Sequence, residues 1–484
     1  GQPRGVGSVV ATRAKVNLRQ LNRQDTEALL SWKNRQDGVF YIGQTIPLDK
    51  EASFWQYNSD LSIWQLEISA PGAKALTLYY SSFEIYTPTG SEVLGAYTEL
   101  SAPKRSGMHF ATEMVMGDRV ILEYQPSALG EAPKVEVESL GYIVRLPRGR
   151  GLRADGYDYA GEDNSGSCMV NINCEEGAAW QKEKKSIAFI QTKVGNDIAV
   201  CTGTLLNNSK QDSAPYFITA AHYAIPSEGR QASAEDLEQW VFYFHYEKEQ
   251  CGNESAASLH AVSLVGAEQL AVSSLKGGTD GLFLRLKEAI PPSYDLYFSG
   301  WSRSSTLASS GVGIHHPSGD ATKISTYTTS PRVDRWDESS QKDAHLNVTY
   351  TATKHGHGVT EKGSSGSGLF DAEHHLVGTL TGGTAACSAP EGTNYYGRLA
   401  AHFGSMSLAQ WLAPGNSDLL SLAGHYPMGE RARVRDFVVW QGQQGVHASW
   451  VAPDGDLGSL QGYVLYVDNQ KVLSISKDRQ TALL

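Results

Sequence analysis

The sequence has no apolar run near the roughly 20 residues that a membrane-spanning helix needs. It also has no excess of positive charge, because its formal net charge is −11, which argues against nucleic acid and anionic membranes as partners. Its five cysteines form no CxxC pair, so a zinc or thioredoxin-type site is weakly supported. We therefore expect no nucleic-acid partner, no membrane span and no cofactor.

Histidines are present in three close pairs, but none has the HExxH spacing of a metalloprotease. The pairs are His315-His316, His355 with His357, and His374-His375. We interpret them as turn and core residues and expect no metal site.

Glycine and tyrosine are plentiful, with 49 and 23 residues, while only 19% of the chain is charged. This composition suits a secreted protein rich in strands and loops. The chain begins Gly1-Gln2-Pro3-Arg4 with neither Met nor a signal peptide, so we expect that a signal has been removed. We expect a monomer, secreted or at the cell surface.

The 484 residues are enough for two or three domains. Residues 1–147 contain one plausible helix, Asp25 to Lys33, and then short alternating strands separated by turns, as in a β-sandwich. Residues 148–164 are first basic and glycine-rich and then acidic, which predicts an exposed linker open to proteolysis. Residues 165–424 contain further strand-like runs and one helical stretch, Ser405 to Leu412.

Within residues 425–484, the segments Val434–Trp440, Val446–Trp450 and Gln461–Val467 alternate between apolar and polar side chains, and this region resembles part of a fibronectin-type-III or Ig-like β module. Such a module needs about 100 residues, so we expect an abbreviated or partial one. The predicted fold class is thus mainly β throughout.

The segment Gly363-Ser364-Ser365-Gly366-Ser367-Gly368 frames serines with glycines. Glycine lets the backbone turn sharply and present a side chain beside its own N–H, which is the geometry of a nucleophile next to an oxyanion hole. Taken alone, the segment would be read as a linker. Its significance depends on residues elsewhere in the chain.

Two such residues precede it. His222 ends the buried-strand pattern that starts at Tyr216, and Asp280 enters another apolar strand. The order His, Asp, Ser is that of chymotrypsin-type triads. We predict Ser365 as nucleophile, His222 as general base and Asp280 as its orienting partner, with the N–H groups of Gly363 and Ser365 as oxyanion hole. Ser364 and Ser367 are the rival nucleophiles.

Beyond the triad, residues 165 to about 425 resemble the secreted bacterial lysyl endopeptidases, a branch of the trypsin-like serine proteases. The matching stretches are Ser165–Cys168, Cys201–Asn208, Thr219–His222, Thr279-Asp280, Gly300-Trp301, Gly313–Pro317, Gly363–Ser367, Gly382-Gly383 and Tyr396–Arg398. The resemblance implies a double β-barrel with the triad in the cleft, protein or peptide substrates, and an N-terminal pro-domain. A carbohydrate- or partner-binding sandwich that stays attached is the alternative for residues 1–147.

The resemblance also implies two disulfides, Cys168–Cys387 and Cys174–Cys251, and hence an oxidising compartment. Cys201 corresponds to a half-cystine whose partner follows the catalytic histidine, and that position is Tyr223 here. We therefore expect Cys201 to be a free, buried thiol.

The substrate pocket departs from the family. Lysine-specific members carry an aspartate where this chain has Asn394, and a histidine where it has Thr381, before Gly382-Gly383. Val359, six residues before the nucleophile, is apolar as well. Since an amide cannot compensate a buried ammonium as a carboxylate does, lysine selectivity stays open. Glu391 is near in sequence and is the alternative acid.

Regulation should also differ from that of trypsin-like zymogens, which carry Asp directly before the nucleophile. Ser364 cannot pair with a new N-terminus, so we expect activation by removal or displacement of the N-terminal domain. The predicted function is a secreted serine endopeptidase made as a precursor. A non-catalytic protein or glycan binder on a protease scaffold is the alternative.

Overall fold

The computed structural model describes residues 14–17, 37–48, 55–60, 62–84, 109–124, 132–145, 165–252, 262–291, 294–427, 434–442, 445–451, 462–467 and 470–483. The chain is mainly β, which confirms the predicted fold class. It divides into two compact units, one of residues 1–289 and 297–424 and one of residues 290–296 and 425–484. Within the described part, no helix is long and apolar enough to cross a membrane.

The N-terminal strands form two sheets around one apolar core, as expected of a sandwich. One sheet has the order β1-β4-β3 with β8 on β4, and the other continues through β2-β9-β5-β6, with β7 on β5. The strands are β1 (Ala14–Asn17), β2 (Phe40–Pro47), β3 (Gln56–Asn58), β4 (Ile63–Ser69), β5 (Ala75–Glu84), β6 (Phe110–Ala111), β7 (Val115–Met116), β8 (Arg119–Tyr124) and β9 (Lys134–Ile143).

The first barrel follows the short strand β10, which pairs with the second barrel. Its strands pair in the order β15-β14-β11-β12-β13-β17-β16. The elements are β10 (Val170–Asn171), β11 (Ile187–Val194), β12 (Asp197–Leu206), β13 (Tyr216–Ala220), α1 (Ala234–Glu238), β14 (Val241–Phe244), β15 (Val262–Val265), β16 (Ala267–Ser273) and β17 (Gly281–Leu286). The Ser233 side chain caps α1 by accepting from the Asp236 N–H, as a capping box does.

The N-terminal part and this barrel share a sheet. Strand β2 pairs antiparallel with the first half of β12, with Phe40 opposite Val200 and Gln44 opposite Asp197. Their apolar side chains also form one continuous core, in which Ile42 and Leu140 pack with barrel residues such as Ile198. The boundaries at residues 147 and 165 remain predictions, and both the linker 148–164 and the helix predicted at Asp25–Lys33 lie outside the described residues.

The second barrel is built from strands in the order β10-β20-β19-β23-β24-β25-β22-β21, with β18 joining β24 and β26. The elements are β18 (Gly300–Ser302), β19 (Gly311–His315), β20 (Lys323–Tyr327), β21 (Arg332–Asp334), β22 (His345–Val348), β23 (Gly368–Asp371), β24 (His375–Gly383), β25 (Asn394–Arg398), α2 (Leu399–Met406), α3 (Ala409–Leu412) and β26 (Ser421–Leu422). The helix predicted over Ser405–Leu412 was wrong in extent, because Ser407 adopts a left-handed conformation and separates α2 from α3.

The smaller unit contains two short antiparallel sheets, β27-β28-β31 and β29-β30. Trp450, Tyr463 and Ile475 meet in its small apolar core. Its strands are β27 (Arg435–Gly442), β28 (Gly445–Val451), β29 (Gly462–Val467), β30 (Gln470–Ser476) and β31 (Thr481–Leu483). Strands β27, β28 and β29 coincide with the alternating segments seen in the sequence, whereas β30 and β31 were not identified there.

Candidate active site

The pairing of β13 with β17 brings His222 to Asp280. Ala220 at the end of β13 lies opposite Gly281 at the start of β17, so the residues just beyond these ends are neighbours. Asp280 accepts one hydrogen bond from the His222 backbone N–H at 2.9 Å and another from the imidazole Nδ1 at 2.8 Å. Asp280 is fully buried and has a φ of +60°, a left-handed conformation that aspartate tolerates better than most residues. The sequence predicted this pair, and the geometry brings it together.

The bond to Asp280 also fixes the tautomer of His222. A carboxylate only accepts hydrogen bonds, so Nδ1 carries the proton and Nε2 presents a lone pair. Among the described residues, Nε2 has no hydrogen-bond partner although it is buried. An unsatisfied buried acceptor costs free energy, and the lone pair on Nε2 can accept the proton of a nucleophile.

The serine loop is anchored to β12, which is the neighbour of β13, and to β24 of the second barrel. The carbonyl of Ser365 accepts from the Thr202 N–H at 3.0 Å, and the Gly366 N–H donates to the Leu380 carbonyl at 2.7 Å. Gly366 has a φ of +82°, and a Cβ there would lie 2.1 Å from the hydroxyl oxygen of Thr219. Only glycine fits this position. The close approach of Gly366 to Thr219 means that Ser365 lies near the end of β13.

Ser364, one of the two rival serines, is held by a different histidine. The Ser364 hydroxyl lies 2.7 Å from Nδ1 of His315, whose Nε2 lies 3.0 Å from the hydroxyl of Ser325. Burial lowers the pKa of His315 to about 3, so that imidazole is neutral at pH 7. Ser364 and Ser367 are both fully buried, whereas Ser365 retains a little exposure. These contacts favour Ser365 among the three.

The Ser365 hydroxyl donates to the Thr381 carbonyl in a long bond of 3.4 Å. Near the expected oxyanion donor Gly363, Tyr223 is fully buried and its hydroxyl accepts from the Phe40 N–H of β2 at 3.0 Å. Burial raises the pKa of Tyr223 well above its ordinary value, and interactions of its oxygen with the N–H groups of Phe40 and Gly363 oppose that rise. Tyr223, the residue directly after His222, thus connects the N-terminal part to the serine loop.

The predicted pocket residues lie on β24, on β25 and on the segment that precedes the serine loop. Gly382 and Gly383 on β24 pair with Tyr395 and Asn394 on β25, while Val359 is fully buried just before the serine loop. The Asn394 side chain accepts from the Thr360 hydroxyl at 2.7 Å and donates to the Val348 carbonyl at 3.1 Å. Thr360 was missed by the sequence prediction, although it directly follows Val359.

Two further residues were also missed. Nε2 of His345 lies 3.2 Å from the hydroxyl of Thr381, and burial lowers its pKa while the nearby Asp280 opposes that shift. The ring of Trp336 lies 3.1 Å from the point where a Cβ of Gly382 would be. His345 and Trp336 come from or near strands β22 and β21, and no motif marks them, so only the fold could reveal them.

The cysteines pair as the family resemblance implied. Cys168 bonds to Cys387 and Cys174 to Cys251, and Cys201 is a buried free thiol. Burial raises the pKa of Cys201 far above its ordinary value, so this thiol is unreactive in the fold. Cys174 and Cys251 also lie near His355, but their sulfurs are used in a disulfide and cannot form a thiolate metal site.

Comparison with known proteins shows what one part of the chain is similar to. Residues 162–397 match the family model described as lysyl endopeptidase, C-terminal domain, which confirms the predicted resemblance for this part of the chain. The lysyl endopeptidase of Pseudomonas aeruginosa is 32% identical over 238 residues, covering 47% of this chain and 47% of that protein. The chain therefore spans about half the length of this curated relative.

Solved structures of serine proteases are also similar. The thermostable serine protease AL20 from an extremophilic microorganism has 14% identity and a TM-score of 0.33, covering 46% of this chain and 98% of its own. The active form of the Rv3671c protease from M. tuberculosis has 14% identity and a TM-score of 0.31, covering 54% of this chain and 94% of its own. The two barrels of this chain are defined by its own strand pairing.

Proposed function

We propose that this protein is a secreted serine endopeptidase that hydrolyses peptide bonds through Ser365, His222 and Asp280. The observation that carries the proposal is the doubly hydrogen-bonded His222–Asp280 pair, together with a serine loop that is hydrogen-bonded to β12, the neighbour of β13. The family match of residues 162–397 supports the same chemistry. The resemblance makes proteins or peptides the substrates, and the two disulfides suit an oxidising compartment.

In the proposed reaction, Ser365 Oγ attacks the carbonyl carbon of the scissile peptide while His222 Nε2 takes its proton. Asp280 holds the proton on Nδ1 and stabilises the imidazolium that forms. The oxyanion of the tetrahedral intermediate accepts from the N–H groups of Gly363 and Ser365. His222 then donates the proton to the leaving amine, and a water molecule attacks the acyl-enzyme through the same base.

We further propose that the chain is made as a precursor with an inhibitory N-terminal domain. Two contacts support latency. The Ser365 hydroxyl donates to the Thr381 carbonyl, so it must rotate before it can give its proton to His222. The Tyr223 hydroxyl interacts with both Phe40 of β2 and the expected oxyanion donor Gly363. Displacing the N-terminal strands would release Tyr223 from Phe40.

The experiment is labelling of the full chain, before and after its linker is cut, with a fluorophosphonate probe that reacts only with an activated serine. We expect labelling and peptidase activity to disappear in Ser365→Ala. The matched control is Ser367→Ala, which alters another serine of the same loop and should keep both. If Ser365→Ala labels and cleaves within tenfold of wild type, the triad assignment is wrong, because triad loss costs about 10⁴-fold or more.

A folded wild-type chain that never labels, whether cut or intact, would instead favour the non-catalytic binding protein.

A further inference from the structure

Two segments lead away from Ser365 and come together again at Asn394. One segment runs backward from Ser365 to Thr360, and the other follows β24 from Thr381, whose carbonyl accepts from Ser365, to Gly383. Gly383 pairs with Asn394, and Thr360 hydrogen-bonds to it. A substrate side chain next to the attacked carbonyl would enter the space between these two segments, and Asn394 and Thr360 would form the end of that space.

The orientation of the Asn394 amide follows from its partners. The Val348 carbonyl can only accept, so Nδ2 faces it and Oδ1 faces Thr360. Thr360 must therefore donate its hydroxyl proton, and its oxygen lone pairs remain as acceptors. The amide keeps its second N–H as a donor. The end of the space thus offers one donor and one acceptor, both uncharged.

The two acids that lie nearest in sequence to Thr360 and Asn394 have other partners. Glu361 follows Thr360 in the chain, but its two carboxylate oxygens accept from the Gly166 N–H and the Ser318 hydroxyl, each at 2.9 Å. Glu391 is 82% exposed and lies 3.7 Å from His357. The two acids nearest in sequence are therefore directed elsewhere, and the alternative acid suggested by the sequence does not contact Asn394.

From this geometry we propose that the pocket accepts an uncharged side chain at P1, the substrate residue whose carbonyl is attacked, and discriminates against lysine. A carboxamide is the group that matches the pocket best. This inference rests on the proposed endopeptidase function. A glutamine side chain can donate to Thr360 and accept from Asn394, while buried Val359 packs against its methylene groups. A lysine ammonium would be desolvated without a counter-charge, which is costly.

The test uses four peptides that differ only at P1, carrying glutamine, leucine, lysine or glutamate, and the cut full-length protein. We expect kcat/KM for lysine to be at least about 100-fold below that for glutamine, as for a charge buried without its partner. A wild-type protein that cleaves the lysine peptide best, or within threefold of the best peptide, overturns the proposal. Faster cleavage of leucine than glutamine would overturn the carboxamide preference alone.

Two variants probe the origin of the preference. Asn394→Asp introduces the missing carboxylate and should raise the lysine-to-glutamine ratio of kcat/KM at least about 100-fold. Thr360→Val keeps the side-chain shape but removes the acceptor, so it should reduce the preference for glutamine over leucine without improving lysine. Since an aspartate oxygen would face the Val348 carbonyl, thermal unfolding must show that Asn394→Asp is folded. An unchanged ratio in folded Asn394→Asp would contradict the role of Asn394.

Failure of this inference can be separated from failure of the proposed function. A protein that labels with fluorophosphonate and cleaves the lysine peptide best would remain a serine protease with a different pocket. A protein that neither labels nor cleaves any of the four peptides would contradict both.

Discussion

Replacing Asp280 by Asn should abolish most activity while leaving the fold intact, for a reason that the hydrogen bonds specify. The carboxylate accepts from two donors, the His222 backbone N–H at 2.9 Å and Nδ1–H at 2.8 Å. An amide has only one acceptor atom. With its oxygen kept on the backbone N–H, its NH₂ group faces Nδ1, which must then become the acceptor.

That exchange moves the imidazole proton to Nε2, the atom that has to receive the proton of Ser365. The opposite orientation would place the amide NH₂ against the backbone N–H and leave a buried donor unsatisfied, at about 1–3 kcal/mol. The inactive tautomer is therefore favoured. Loss of the correct tautomer lowers kcat by about 10⁴-fold in a well-studied serine protease, which corresponds to about 5 kcal/mol of transition-state stabilisation.

The assay is kcat and KM on the best P1 peptide, with the rate of fluorophosphonate labelling as a second readout. We expect kcat to fall by about 10⁴-fold with little change in KM, and labelling to slow in parallel. Asp212→Asn is the matched control, since Asp212 is an exposed carboxylate of the same unit that accepts from Asn208. Activity of Asp280→Asn within tenfold of wild type would refute the proposed role of the pair.

Two further predictions concern latency and pH. Cutting within residues 148–164 should raise peptidase activity regardless of where in that stretch the new N-terminus lies, because Ser364 cannot pair with it. Tyr223→Phe, which removes the link to Phe40, should raise the activity of the intact chain, and equal activity of intact and cut wild type would contradict latency. Burial lowers the pKa of His402 to about 3. Below pH 6.5 this histidine therefore binds a proton in the unfolded chain but not in the folded chain, and the free energy of unfolding decreases as the pH is lowered. Lowering the pH from 7 to 5 should reduce the free energy of unfolding by about 2 kcal/mol through this histidine. Denaturant unfolding of His402→Gln should therefore show a weaker dependence of stability on pH than wild type, and an unchanged dependence would exclude His402 as its origin.

The sequence by itself determined much of the site's chemistry. Three local features carried it: the glycines around Ser365, the buried-strand pattern that ends at His222, and the aspartate that enters another apolar strand. Their order along the chain pointed to one class of enzyme. The mainly β class also followed from local alternation of apolar and polar residues. The family resemblance, which places the half-cystine partner of Cys201 at position 223, indicated the free thiol of Cys201 because Tyr223 stands there.

Only the tertiary structure decided which distant groups meet. Local patterns contain no information on the partner of a strand edge, so the pairing of β2 with β12 and the contact of Phe40 with Tyr223 were not predictable. The same holds for His345 and Thr381, which come from different strands. The character of the pocket depends on where the Glu361 and Glu391 carboxylates point and on which groups hold the Asn394 amide. Those are long-range packing outcomes, because a side chain's hydrogen-bond partners are set by the strands around it rather than by its neighbours in sequence.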